Sequence, residues 1–400
     1  MLLMRSSWFP VIALVISAMP GAPVGAQEIV TLPAADRALS ARTQPLFSVG
    51  RADGREWEVF GSIGAVAFDA DENLYVLDRQ NARISVFDSA GRHVRTFGRR
   101  GGGPGEFGRP LGMAVLSDGQ VVVSDVTRSS FSIFGRDGSF RRSEPFAQGS
   151  LVVGSQLAAH PLGGVVSRAI GNPGSSDPAA LGDETLLWHR LGAGAARTVY
   201  TISTRRDRAG IASRRGAQRL VFSPGTHFAL LAGGSMAIVT EETYTIRITN
   251  SQGRVSRVLR RNIPPRRVTA GDREHERERR AAAYGRPGGL VVVGAGGELP
   301  AGLRAEMAAA LQDVEFASVM PVIDEVQTDA YGNLWVERSG ASLDEDGPID
   351  LISPDGQYVG TLTGVALPQA FSRRGRIAQV RTNELGVEEV VVHRLTVLRP

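Results

Sequence analysis

The run Leu74-Tyr75-Val76-Leu77-Asp78 returns forty-seven positions later as Val121-Val122-Val123-Ser124-Asp125. Each aspartate is followed nine residues on by a phenylalanine (Phe87, Phe134) and thirteen on by a glycine (Gly91, Gly138). Just upstream, Val49-Gly50, Glu58, Gly64 and Ala65-Val66-Ala67 correspond, at a spacing of 48, to Phe97-Gly98, Glu106, Gly112 and Met113-Ala114-Val115. One unit therefore reads as strand 63–68, turn, strand 73–78, loop, strand 82–88, Asp/Gly turn and strand 92–97. Four short strands in about 40–50 residues, with turn residues between them, is the pattern of a β-propeller blade.

The pattern continues in weaker copies. Gly163-Gly164 and Val165-Val166 open the second strand of a third unit, whose loop swells through Gly171 to Gly182. Ser235–Thr240, Tyr244–Ile248 and the turn Ser251-Gln252-Gly253 mark a fourth. Thr328 to Val336 restates Phe68 to Val76 and marks a fifth, with a hairpin at Ser353-Pro354-Asp355-Gly356. The sixth, from about Ser372 to Pro400, holds three strands, and Leu46–Gly50 has the sequence of an outermost strand with no blade before it. The expected fold is all-β, a six-bladed propeller of four-stranded blades at about 63–97, 111–145, 151–203, 220–262, 320–364 and 372–400 plus 44–50. Its ring is closed by the N-terminal strand, which removes an exposed sheet edge.

Asp78-Arg79-Gln80-Asn81-Ala82-Arg83-Ile84-Ser85-Val86-Phe87-Asp88, followed by Phe97-Gly98 and Gly101 to Phe107, resembles NHL repeats. More narrowly, the chain is similar to exported bacterial six-bladed β-propeller proteins. The resemblance implies fold and export, and brings no catalytic motif with it.

Composition narrows the classes further. The 400 residues include no cysteine, which excludes disulfides, thiolate metal sites and a cysteine nucleophile. All 45 basic residues are arginine, but 41 acids spread among them leave a net charge of +4, so no nucleic-acid footprint forms. Residues 1–26 have the layout of a secretory signal peptide: Arg5, an apolar run from Trp8 to Met19, then Val24-Gly25-Ala26 at the cleavage position. About 12 apolar residues are too few to span a bilayer that needs ~20. The mature chain is expected from about Gln27, periplasmic or extracellular, with no membrane span and as a monomer.

Residues 266–318 fit neither the blade pattern nor a short linker. Asp272–Tyr284, dense in Arg and Glu with few apolar positions, reads as a solvated helix. A second helix is expected over Pro300–Val314, with Leu303, Met307 and Leu311 on one face. The insertion joins the outermost strand of blade 4 to the innermost of blade 5, and is expected to cap the channel mouth or to serve as a decorative or dimer-forming element.

Aligning inner strands puts Gly64, Gly112, Gln156, His227, Asp324 and Ile377 in one column around the channel, with the two glycines leaving room. Glu325 is adjacent, and Gln379 lies one step deeper. His227, Asp324 and Glu325 are the candidates for acid–base work or for a divalent cation; Gln156, His227, Asp324 and Gln379 are the candidate ligand contacts. A wet channel with a polar lining accounts for the same residues without chemistry. Asp344-Glu345-Asp346-Gly347 could attract calcium but lacks the longer series of oxygen ligands, and otherwise reads as a solvated loop. Arg99 and Arg100, with Arg109 near, could meet an anion. Gly101–Gly105 is not followed by Lys-Ser/Thr, and Gly-x-Ser-x-Gly is absent, so neither a phosphate loop nor a nucleophile elbow is expected. Asp78 and Asp125 are expected to bind backbone amides of neighbouring loops.

Two functions follow. The first is an exported, non-catalytic propeller that recognises a peptide, protein or glycan on its capped face, with no cofactor. The second is a metal-assisted, lactonase-like hydrolase or lyase with His227, Asp324 and Glu325 at the channel mouth, for which calcium is one candidate ion.

Overall fold

The computed structural model describes residues 27–170, 184–192, 196–202, 212–213, 216–284 and 314–398. The expected signal peptide, the swollen loop 171–182 and all but the last residue of the helix expected at 300–314 lie outside the described residues.

Two strands, β1 (Glu28–Leu32) and β2 (Ser40–Val49), precede the repeats. Blade 1 comprises β3 (Ile63–Phe68), β4 (Leu74–Asp78), β5 (Arg83–Phe87) and β6 (His93–Phe97). Blade 2 comprises β7 (Pro110–Val115), β8 (Val121–Asp125), β9 (Ser130–Phe134) and β10 (Phe140–Pro145). Blade 3 comprises β11 (Leu151–Ala159), β12 (Val165–Ile170), β13 (Glu184–His189) and β14 (Arg197–Ile202). A two-stranded ribbon follows, β15 (Ala212–Ser213) and β16 (Gly216–Arg219). Blade 4 is β17 (His227–Leu230), β18 (Met236–Val239), β19 (Thr245–Thr249) and β20 (Val255–Arg261). After helix α1 (Ala270–Tyr284) comes blade 5: β21 (Ile323–Thr328), β22 (Leu334–Arg338), β23 (Ile349–Ile352) and β24 (Tyr358–Leu362). Blade 6 is β25 (Ala370–Phe371), β26 (Arg376–Thr382) and β27 (Glu388–Leu398), completed on its outside by β2.

The middle strands explain why this arrangement is stable. Every residue of β4, β5, β8 and β9 is buried, because each blade is covered on both faces by its neighbours. Such strands lack polar alternation and read as continuous apolar runs, whereas the outermost β6 alternates between half-buried and exposed. Six hydrophobic clusters fill the six gaps between blades. The one joining the chain's two ends packs Val49, Val390 and Val392 of blade 6 against Val66, Leu74, Val76 and Phe87 of blade 1. The hairpins between third and fourth strands turn on Gly91 and Gly138, whose φ of 78° and 82° favour residues without a Cβ.

The N-terminal strand closes the ring as expected, antiparallel to β27, but it begins at Ser40 and carries a bulge between Pro45 and Phe47. Upstream, β1 lies parallel to β20 on the outside of blade 4, an edge strand not foreseen. Between them Arg37 and Leu39 exchange backbone bonds with Thr361 on the outer strand of blade 5. The N-terminal segment thus covers the outer edges of three successive blades. Beneath it, Arg261 of blade 4 is wholly buried and pairs with the buried Asp350 of blade 5 at 2.7 Å and with Asp36 at 2.6 Å.

In blade 6 the innermost strand is β25, so Ile377 and Gln379 stand on the second strand. Ile377 is buried in the blade rather than on the channel wall. The innermost strand was missed because it pairs over only two residues, Ala370 with Ala378 and Phe371 with Ile377.

Helix α1 lies between β20 and β21, on an insertion whose two stems pair: Val268 N donates to Ser318 O and Met320 N to Arg266 O. It is not solvated on all sides. Asp272 and Glu276 are buried, one turn apart, and each carboxylate is satisfied by arginines: Arg266 for Asp272, Arg279 and Arg280 for Glu276. Thr269 and Asp272 cap the N-terminus reciprocally, the Asp272 N–H donating to Thr269 Oγ1 and the Thr269 N–H to the Asp272 carboxylate. Arg266 leads the causes that hold the Asp272 carboxyl far below the usual carboxylate range. The Glu276 pairs lie within the helix, and Arg266 on the stem ties Asp272 to the insertion.

Candidate functional site at the channel mouth

Inner strands begin on the ring face that also carries the long connections between blades; the tight hairpins lie opposite. The channel between the inner strands has a volume of about 440 Å³, with Ser155, Gln156, Glu325, Gln327, Thr328 and Gln369 as its polar lining. Of the sequence candidates, Gln156 and Glu325 line it directly. Gln379 does not; its amide donates to Ala366 O at 2.7 Å, and Gln369 stands on the wall instead. Both wall glutamines also brace the ring, Gln156 donating to Phe228 O at 2.6 Å and Gln369 accepting from Val380 N at 2.8 Å.

The two glycines of the inner column do not leave room for a ligand. A Cβ on Gly64 would fall 2.4 Å from Cγ of Arg79, whose stem crosses there, and one on Gly112 would fall 2.3 Å from Ser155 O. They admit a side chain and a neighbouring backbone respectively.

His227, at the start of β17, and Glu325, on β21, do meet: Nδ1 and Oε2 are 3.3 Å apart. Asp324 sits in the bulge between Ile323 and Glu325. Its carboxyl keeps an open surface, yet protein surrounds it on most sides, and this desolvation, with the Glu325 charge, raises its pKa against the pull of Ser339, His227 and Arg266. Ser339 Oγ is 2.5 Å from both Pro321 O and Asp324 Oδ1.

The residue missed from sequence is Glu337. It lies directly across the β21–β22 ladder from Glu325. Burial first, then the charges of Asp324, Asp346 and Glu325, push its carboxyl up to about 7, while an amide of Leu367 opposes them. The signal was present: Glu337 occupies the position held by Leu77 in blade 1 and Ser124 in blade 2. A charge where the repeat has an apolar or small residue marks a departure with a cause.

Asp324 is engaged by Ser339 and His227 by Glu325, and among the described residues no three His, Asp or Glu side chains converge as ligands. In the acidic loop, Asp344 faces the helix, 3.2 Å from His275 Nε2.

The remaining candidates lie apart from the channel. Arg99 pairs with Glu106 at 2.6 Å, and Arg100 donates to Gln80 O at 2.7 Å, so both hold the glycine-rich connection to its surroundings. Asp78 accepts backbone N–H groups of Gly61, Ser62 and Asn81, and Asp125 those of Gly108, Arg109 and Thr127. Among the described residues no helix is long and apolar enough to cross a membrane.

Residues 56–145 match the model of a family described as 6-bladed beta-propeller. No curated protein matches the chain. Among solved structures, a member of the DUF4221 family from Bacteroides vulgatus is 10% identical, with a TM-score of 0.50, covering 90% of this chain and 99% of its own. A candidate exported protein from Bacteroides fragilis is 12% identical, with a TM-score of 0.47 and coverages of 92% and 99%. Virginiamycin B lyase from Staphylococcus aureus is 9% identical, with a TM-score of 0.42 and coverages of 90% and 100%. At such identities a likeness concerns fold alone. The six blade sheets and six interblade cores, with the family-model match, make this chain a six-bladed β-propeller.

Proposed function

We propose that the protein is an exported, non-catalytic binding propeller that recognises a peptide, protein or glycan at the channel mouth, beside the paired stems at 266–268 and 318–320. The observation that supports this most is the cluster of Asp324, Glu325 and Glu337 beside His227, set above a wall of side-chain amides on rigid strands. Carboxyls and amides held on strands suit hydrogen-bond donors, such as an amino group or sugar hydroxyls, and the surplus of acids favours a ligand without negative charge. The stems of the insertion bring Arg266 close enough for its charge to act on Asp324, and His275 ties the helix to the 344 loop. Both contacts favour a cap on this face.

The test is to probe peptide and glycan arrays with residues 27–400, wild type and the Glu325→Gln and Gln327→Ala variants. Selective binding that both substitutions weaken is expected. Binding that neither changes, or none on either array, would overturn the reading. A second reading, acid–base hydrolysis or lysis of a lactone-like substrate, draws on the His227–Glu325 pair beside a carboxyl held near neutral. It requires turnover of a lactone or ester panel that His227→Ala abolishes.

A further inference from the structure

The face that carries the channel mouth is unevenly charged. Asp324, Glu325 and Glu337 crowd it at blade 5, whereas blades 1 and 2 present arginines. By strand direction, the β4–β5 loop (78–83), the β6–β7 connection (98–109) and the β8–β9 loop (125–130) all lie on this face. They carry Arg79, Arg83, Arg99, Arg100, Arg109 and Arg128 against three carboxylates, Asp78, Glu106 and Asp125. The adjoining connection, 50–62, returns one negative charge, with Arg51 and Arg55 against Asp53, Glu56 and Glu58.

Most of these arginines are held in place without being neutralised. Arg99 pairs with Glu106 at 2.6 Å, and the buried Arg83 lies 3.5 Å from Asp78. Arg100 donates instead to Gln80 O at 2.7 Å and Gly108 O at 3.4 Å, and Arg128 to Gly101 O at 3.0 Å and Gly103 O at 3.2 Å. Arg79 donates to Ser62 Oγ at 3.1 Å, and Arg109 makes no side-chain bond among the described residues. Carbonyl and hydroxyl oxygens fix a guanidinium but leave its charge uncancelled. Asp78 and Asp125 are wholly buried with their oxygens occupied by backbone N–H groups, and neither pairs with these four arginines. Arg99, Arg100 and Arg109 are exposed, and Arg79 and Arg128 half-buried.

The residues between the arginines point to the partner. The exposed ones are Gln80, Asn81, Thr127 and Ser129, with Pro104 the one exposed apolar side chain of the three loops. A membrane surface or a protein hot spot needs exposed apolar and aromatic side chains, and single-stranded nucleic acid needs aromatic platforms. Guanidinium forks set among neutral amides and hydroxyls suit a glycan, with carboxylates or sulfates on the arginines and ring hydroxyls on the amides. We infer that the loops of blades 1 and 2 form a second interaction surface, for an acidic glycan, on the same face as the channel mouth but separate from it.

Calorimetric titration of residues 27–400 with hexagalacturonate at low salt tests this, with its methyl ester as the uncharged counterpart. Saturable binding of the acid is expected, weakening as salt is added, with the ester about tenfold weaker. The combined Arg100→Gln and Arg109→Gln variant should lose about tenfold with an unchanged melting midpoint. Arg109→Gln alone supplies an independent loss, since Arg109 does not hold the connection. Arg373→Gln with Arg374→Gln, two exposed arginines on the β25–β26 turn of the opposite face, removes the same charge and should lose nothing. No binding, equal affinity for the ester, an arginine variant that binds as wild type, or an equal loss in the opposite-face variant overturns the inference. Tighter binding to anionic phospholipid vesicles overturns the choice of a glycan. A loss caused by Glu325→Gln and not by the arginine variants would assign the binding to the channel mouth, overturning this inference while leaving the proposed function standing.

Discussion

Replacing Glu337 by Gln should make this protein more stable at pH 8, and only about a quarter as much so at pH 5. The reasoning starts from a carboxyl that folding raises from an ordinary value of 4.5 to about 7. Below pH 4.5 it is protonated in both the folded and the unfolded chain and contributes nothing. As pH rises through 4.5 the unfolded chain releases its proton while the folded chain keeps it, so folding loses free energy until the folded group also ionises near 7. At about 1.4 kcal/mol for each pH unit between the two values, the full loss is about 3 kcal/mol. Water reaches part of the side chain, and screening trims this to about 2 kcal/mol. Glutamine has the same shape, stays neutral and can still accept from the Leu367 amide. With an unfolding entropy of about 2.1 cal/mol/K per residue over a chain of this length, the gain at pH 8 amounts to about 2–3 °C in melting midpoint. Calorimetric scans of both proteins at pH 5 and pH 8 measure it, the difference between proteins cancelling the titration of groups remote from Glu337. A variant less stable than wild type at pH 8, or a gain equal at both pH values, would refute the assignment of strain to this carboxyl.

Asp350→Ala should destabilise by about 3–5 kcal/mol in urea unfolding, because it leaves Arg261, with none of its side chain exposed, with the half-exposed Asp36 as its remaining carboxylate. Arg261→Met together with Asp350→Leu should restore much of that; a double variant worse than the single one would show the pair to be favourable on balance. Deleting residues 27–49 should leave β27 without its partner along nine paired positions and expose a long sheet edge. Light scattering should then report association, and a monodisperse monomer would mean that β27 protects itself.

What could be read from sequence follows how strongly the packing constrains it. Blades 1 and 2 were legible because their middle strands are buried on both faces and their turn aspartates bind amides at fixed offsets, so Val76 and Val123, Asp78 and Asp125 repeat. Counting inner-strand positions put His227 level with Asp324 and left Glu325 adjacent; the register shift between Ile323 and Glu325 is what gives the contact to Glu325 instead. The channel wall of blade 6 was not legible, because β25 pairs over two residues and any apolar dipeptide suffices there. Strand β1 was hidden by its parallel, edge-on docking, which asks little of its side chains. Helix α1 was found, and most of it is exposed as a solvated helix should be; what the sequence did not disclose is that Asp272 and Glu276 are buried, each satisfied by arginines rather than by an apolar stripe. Glu337 stood in plain view as a break in the repeat, but only its partner across the ladder gives that break a meaning.

The N-terminal segment along the outer edges of blades 4, 5 and 6 has a consequence in time rather than in space. Residues 28–49 are synthesised before their partners, which span Arg257 to Leu398. Contacts so distant along the chain close slowly, because loop entropy must be overcome before they contribute. Blades 1 to 3 can assemble while the early segment still waits, and the whole ring locks only when the final strand arrives. A newly made chain would therefore spend its longest interval as an open, incomplete arc.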